Sequence, residues 1–356
     1  MFKTTDNGLF MLNRRQLLAG ASAGTAMLAA PSILRANTLE TLTVSSSGGA
    51  LEEAYRKAYF DTFEMQTGIK TLTAPYADTG RVKAMVDAGA VDIDVVALDS
   101  GEAAVLQRAG LLEELDFSVI DITGVPDWAH SSCYVLSDIA PTVIAWNTNS
   151  FSAESRPKNW AEFYDTEARP GQRGLWKYAM GTLESACLAA GVAPADLYPL
   201  DLDKAFAMLD KIKPDLTWWT SGAQSAQHLI SNEVDLSMVW TGRVHQPKVD
   251  GAPVDYGFEQ AVWMCDAWVI PKGAKNKDHA MRYIANVMQA KNQAIMAQNI
   301  PYGPTITAAL DLLPPETQAL MPNFGDNGKD AVVQNVGYWS EHGSEIFARF
   351  NEWLAG

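Results

Sequence analysis

Apolar residues recur along this chain in two alternating rhythms, and the order of the rhythms defines an architecture. Residues 39–44 are short, apolar and β-favouring, which predicts a strand. After Ser45-Ser46-Ser47-Gly48-Gly49, the residues Leu51, Ala54, Tyr55, Ala58, Tyr59, Thr62 and Phe63 recur at three- and four-residue steps. That spacing predicts a helix over 50–66, with Gly68 as its C-cap. Strands follow at 69–73 and 92–98, with helices over 81–88 and from 103 onward. Strand–helix–strand order at this spacing predicts a parallel α/β sheet. A β-like run at 139–146 leads into a second series: helices over 179–191 and 203–212, a strand at 216–219, a helix from 221 to about 232 and a strand at 234–240. A second α/β unit is therefore expected over roughly 146–262. Helices at 279–288 and 291–298, a rigid loop at 300–305 and a helical tail ending at 346–354 complete the pattern.

Sheets of this kind bind ligands where strands end and loops turn into helices. The stretch 238–271 is the most informative. It holds Val239-Trp240-Thr241-Gly242-Arg243, a loop, and then 263–271, read as one buried strand stopped by Pro-Lys-Gly. Asp266 interrupts that strand, and a charge among apolar neighbours is costly unless paired or solvated. Two readings follow: a strand-end residue that faces water or caps the backbone, or an acid on the rim of a cleft with Trp240 as an aromatic wall. The Ser/Gly segment at 45–49 also has two readings. It is an ordinary N-cap and tight turn, or its N–H groups hold an anionic group. It lacks the lysine of a nucleotide-binding P-loop.

Composition narrows the class. A chain of 356 residues exceeds one ordinary core, so two domains are expected. With 47% apolar and 19% charged residues it is not a disordered chain. Residues 1–36 read as a targeting segment: Asn13-Arg14-Arg15-Gln16-Leu17-Leu18 is a twin-arginine pattern, the apolar run behind it is short, and Leu34-Arg35-Ala36 suits cleavage. Without Lys3, Arg14, Arg15, Arg35 and Asp6 the net charge moves from −15 to −18. Such acidity argues against nucleic acid and anionic membranes. The expectation is a monomer free in the periplasm. Cys133, Cys187 and Cys265 form no CxxC pair and sit in apolar surroundings, which reads as three buried thiols. The five histidines are scattered, and none sits in HExxH or near a GxSxG nucleophile turn, so neither an enzyme nor a cofactor is expected. Tyr55-x₃-Tyr59 is a close tyrosine pair of the kind iron sites use, but its helical spacing favours core packing.

The order of elements resembles periplasmic solute-binding proteins of ABC importers, in particular the spermidine/putrescine-binding group. The resemblance is carried by Thr67-Gly68-Ile69-Lys70, Asp94-Val95-Val96, Glu233-Val234-Asp235-Leu236 leading to Trp240, Asp266 with Ile270-Pro271, Ala274-Lys275-Asn276-Lys277 and Tyr302-Gly303-Pro304-Thr305. It implies a two-lobed type II periplasmic binding protein fold, each lobe a mainly parallel α/β sheet, joined by β-strand hinges. Crossings are expected near 142–146, 265–269 and 302–310. Lobe one is then 38–143 plus 265–309, and lobe two 144–264 plus 310–356. The solute lies between the lobes and is delivered to an ABC permease. The family's pocket aromatics match Trp240 and Tyr302, and its amine-binding carboxylate matches Asp266. Polyamine binders carry acids where this chain has Ser45 to Gly49, Tyr178 and Gly181, and Arg243 follows Trp240-Thr241-Gly242. A long polycation needs an acid near each end. One acid and one guanidinium suit instead a small amine that also bears an anionic group, with Arg243 open to a second reading as a surface or interlobe ion-pair residue. Thiamine, a carboxylate or ferric iron are the other solutes considered. The expected ligand-binding set is Ser46, Ser47, Gly48, Gly49, Asp78, Thr79, Ser100, Tyr178, Trp240, Arg243, Asp266 and Tyr302, with no metal.

Overall fold

The computed structural model describes residues 40–356. The twin-arginine segment at 1–36 lies outside the described residues. In chain order the strands are β1 (Thr41–Ser46), β2 (Lys70–Pro75), β3 (Val95–Asp99), β4 (Tyr134–Leu136), β5 (Asp138–Asn147), β6 (Arg173–Trp176), β7 (Leu216–Trp219), β8 (Leu236–Trp240), β9 (Val254–Met264), β10 (Asp266–Val269), β11 (Gly303–Pro304) and β12 (Val332–Val333). One sheet has the order β2-β1-β3-β10-β4; the other runs β12-β9-β5-β8-β6-β7, with β11 paired to β5. Helices flank both, which gives the expected two-lobed α/β architecture.

Parallel pairing holds where the chain alternates strand and helix: β1 with β2 and β3, and β6 with β7 and β8. The strands that cross between lobes run antiparallel to these neighbours: β10 beside β3 and β4, and β5 beside β8 and β9. A crossing strand arrives without the intervening helix that enforces parallel direction. The first crossing is the single residue Ser137, between β4 and β5. It comes before the expected 142–146 because those residues are fully used in pairing with β8. The second is at Cys265, between β9 and β10. The reading of 263–271 as one strand is thereby corrected: the apolar run is continuous, but it belongs to two sheets. The segment read as a loop before it is the helix Thr241–Val249 and the eleven-residue β9. Asp255, Gly257, Glu259 and Gln260 break the alternation of β9, and only three of its residues from 254 to 262 are buried.

The helical run after β1 starts at Gly49 and reaches Thr67, with one π-helical turn at Arg56–Phe60. Its buried face carries Leu51, Ala54, Tyr55, Ala58, Tyr59 and Phe63, as the three- and four-residue spacing requires. Tyr55, Tyr59 and Tyr283 pack around Trp268 in the first lobe. In the second lobe the helix Val336–Ala355 begins ten residues before the expected 346. Its Trp339 donates to Glu184 at 2.6 Å, and Tyr198 Oη and the Gly181 N–H donate to the same carboxylate at 2.7 Å each. Glu184 is fully buried; burial pushes its carboxyl up, and these donors pull the other way. All three cysteines are buried and free.

Gly68 ends the first helical run at φ 73°, and no atom lies within 4 Å of a Cβ placed there. The cost of a side chain is therefore one of backbone conformation alone. Gly68→Ala is expected to lower unfolding stability by about 1 kcal/mol, read as a shift in the urea midpoint at unchanged slope.

Candidate ligand-binding site

The carboxyl ends of the parallel strands in the two lobes face one another across a cavity of about 400 Å³. From the first lobe, Ser47, Tyr76 and Asp99 lie at or just beyond the ends of β1, β2 and β3. From the second, Trp176, Thr220 and Trp240 lie at or just beyond the ends of β6, β7 and β8. Asp266 and Tyr302 come from the crossing segments, and Arg243 from the first turn of the helix that follows β8. Strand-end placement is where α/β sheets present ligand groups, because the backbone there is free to turn into loops and helix starts.

Trp176 and Trp240 form one wall of the cavity, with the fully buried Trp219 packed against both. Trp176 and Trp219 are register partners on β6 and β7 and stack with centroids 5.7 Å apart. Trp240 meets them edge-on, at 5.0 Å from Trp176 and 5.2 Å from Trp219. The faces so presented are apolar and electron-rich, which favours an aliphatic chain or a cation. Tyr302 is buried beside Gly242, where a Cβ would lie 2.8 Å from the tyrosine ring and 2.6 Å from Ile300.

Asp266 and Arg243 supply the charge. Tyr55 Oη donates to Asp266 Oδ2 at 2.8 Å, so the core tyrosine fixes the carboxylate that opens on the cavity. Burial pushes Asp266 up to about 6, against the stabilising Tyr55 bond and the Arg243 charge. Arg243 takes part in none of the ion pairs among the described residues, and its Nε has no partner. Gly222 and Gly49 leave it room: a Cβ on Gly222 would lie 2.8 Å from its Cγ and Nε, and one on Gly49 would lie 3.7 Å from Nη1. The reading of Arg243 as an interlobe ion-pair residue is thereby corrected. Asp99 is pushed up to about 8, first by burial and then by the neighbouring Glu102. Tyr76 donates to Glu102 and is itself pushed up by burial and that carboxylate.

Of the expected set, Ser47, Trp240, Arg243, Asp266 and Tyr302 line this cavity. Ser46 and Gly48 border an adjoining chamber of about 460 Å³ that shares Ser47 and Tyr76 with it. Gly49 sits behind Arg243. The others are not among the lining residues. Asp78 is an N-cap that accepts from the Arg81 N–H at 2.8 Å, and the Thr79 hydroxyl donates to Glu102 at 3.0 Å. Ser100 is buried, its N–H donates to the Cys265 carbonyl at 3.0 Å, and it borders a different cavity. The Tyr178 ring lies between Trp176 and Phe347, at 4.6 and 4.9 Å. Among the lining residues missed are Tyr76, Asp99, Trp176, Thr220, Ser221 and Met264. Asp99 follows an apolar strand and Thr220 follows Trp218-Trp219, so the strand-end rule could have found both. Trp176 ends a four-residue strand with no periodic signal.

Among the described residues, no three metal-ligating side chains converge, and no helix is long and apolar enough to cross a membrane. Residues 58–323 match the family model described as bacterial extracellular solute-binding protein. A gamma-aminobutyric acid-binding protein of Pseudomonas aeruginosa is 34% identical over 362 residues, covering all of both chains. A spermidine/putrescine-binding periplasmic protein of Haemophilus influenzae is 28% identical, over 81% of this chain and 84% of that one. A solved GABA receptor has a TM-score of 0.83 and 39% identity, over 88% of this chain and 97% of its own. Matched over most of its length by that family model and over all of it by a 34% identical relative, the chain belongs to the bacterial extracellular solute-binding protein family.

Proposed function

We propose that this receptor captures a small ω-amino acid of the γ-aminobutyrate type between its lobes and delivers it to an ABC permease. The observation that carries the reading is an unpaired guanidinium, Arg243, in the same cavity as the carboxylate of Asp266, with no ion pair between them. A zwitterion completes both. Its carboxylate meets the guanidinium fork beside Ser47; its ammonium meets Asp266 and the faces of Trp240 and Tyr302. The chain between the two ends lies on the tryptophan wall. The relatives support an amine-bearing solute, since two of them are named for GABA and one for polyamines. Arg243 weighs against a polyamine here, because a polycation would leave the guanidinium unpaired and add repulsion at close range. An export signal at 1–36, a periplasmic location, a monomeric state and no nucleic-acid partner belong to the same reading.

Titration calorimetry on protein stripped by unfolding and refolding tests it. GABA is expected to bind more tightly than putrescine or spermidine. Arg243→Ala is expected to weaken GABA by about 2–4 kcal/mol, the cost of losing one partner of a buried charge-assisted pair. Tight spermidine binding that ignores Arg243→Ala would sink the reading.

Gly222→Ala gives an independent check on geometry. Its methyl group would press on the Arg243 stem and on Trp240, at 2.8 and 2.9 Å. Weaker GABA binding at nearly unchanged melting temperature is expected; full affinity would show that the guanidinium is not held where the solute needs it.

The acid side has its own signature. Asp266, pushed up to about 6, takes up a proton as the pH falls through that value and then offers no charge to an ammonium. GABA affinity is expected to drop between pH 7 and pH 5, with Asp266→Asn weak and flat across the range.

A further inference from the structure

We propose that Asp99 is a second ammonium-binding residue of the solute cavity, acting with Asp266 as a carboxyl pair that selects solutes whose cationic end carries free N–H groups. This inference rests on the ω-amino acid reading above. It begins with the sheet. β3 and β10 are antiparallel, and Asp99 is the register partner of Asp266. Directly opposed residues of an antiparallel pair point to the same face with Cβ atoms about 5 Å apart, and like charges there destabilise the sheet. Both side chains line the solute cavity.

The two carboxyl groups are committed in the same way. Asp99 Oδ1 accepts from the Gly101 N–H at 2.8 Å, which caps the helix Ser100–Arg108. Asp266 Oδ2 accepts from Tyr55 at 2.8 Å. Each therefore gives one oxygen to the scaffold, and among the described residues the other oxygen of each has no side-chain donor. The result is two acceptors side by side in the cavity that Arg243 also lines. The groups acting on Asp99 are Glu102 and Asp266, which disfavour its charge, and the Gly101 and Glu102 amides, which favour it; no lysine or arginine is among them. Burial first, and then Glu102, pushes Asp99 up to about 8, so the carboxyl holds its proton at neutral pH and gives it up to solvent as an ammonium docks. A primary ammonium supplies the counter-charge and three N–H donors, enough for both acceptors. A trimethylammonium group supplies the charge and no donor, and its methyl shell holds the charge farther from either oxygen.

Asp99 also caps a helix, so the test separates the two roles. Serine and asparagine are both good N-caps, and Asp99→Ser and Asp99→Asn keep that bond while removing the ionisable group. Calorimetry would use GABA, 4-trimethylammoniobutanoate and butyrate. Wild-type protein is expected to prefer GABA to the trimethylated analogue by roughly tenfold or more, the worth of a charge-assisted hydrogen bond. Both variants are expected to keep the melting temperature, to lose roughly ten- to a hundredfold in GABA affinity, and to bind butyrate as the wild type does, since butyrate engages only the Arg243 end. Variants that bind GABA like the wild type, or that lose GABA and butyrate equally, would overturn the role of Asp99 alone. Wild-type protein that binds no ω-amino acid would overturn this inference together with the reading beneath it.

Discussion

A cation and an anion share one cavity here without reaching each other, and the construction around them keeps it so. Arg243 is rooted in a helix start of the second lobe, and Asp266 is the first residue of β10 in the first. Tyr55, itself wedged against Tyr59 and Trp268, holds the acid from behind. Gly222 and Gly49 keep side-chain volume away from the guanidinium. An unpaired charge withdrawn from water is costly, and the cost is recovered only by a partner of opposite sign. On the reading proposed here, a zwitterion between the lobes supplies both missing partners. Selection of a closed state by differential contacts is the general form of such capture.

Hinge and site are also the same stretch of chain. The crossing at Cys265 is followed at once by Asp266, and the crossing at Ser137 by Asp138, a buried acid whose carboxyl is pushed up by burial and by Asp266. Ser137 accepts from the Trp268 indole at 2.8 Å and donates to Asp138 at 3.0 Å, and its N–H donates to the Asp266 carbonyl at 3.3 Å. Thr305, beside the short strand β11, donates to the Leu136 carbonyl at 2.7 Å. Three crossing segments are thus tied to one another close to the cavity-facing Asp266. Asp266 thus belongs to the hydrogen-bonded segment in which the chain passes from one sheet to the other.

The family resemblance came from local runs, and those runs were legible because each obeys a short-range rule. The helix after β1 shows its face through Tyr55, Tyr59 and Phe63, and Gly68 marks its end by a backbone angle that suits glycine. Trp240, Arg243 and Asp266 stood out as a large aromatic and two charges where an apolar pattern would otherwise continue. The long strand β9 was invisible for the opposite reason: it is only partly buried, so its residues do not alternate. The error at 263–271 has a related cause. An apolar run records burial, not which sheet does the burying, and the break at Cys265 changes the sheet without changing the hydrophobicity.

The chain alone therefore determined the class of fold, the export-type leader as an expectation and the presence of one acid and one guanidinium unlike those of a polyamine site. Those follow from periodicity, composition and residue type, which are properties of neighbours in sequence. Only the tertiary structure decided that Arg243 is unpaired, that Asp99 stands beside Asp266 and that Trp176 joins Trp240 on the cavity wall over the buried Trp219. Each of these depends on the register of strands far apart in the chain. Register is set by how whole sheets pair and pack, and no local pattern encodes it.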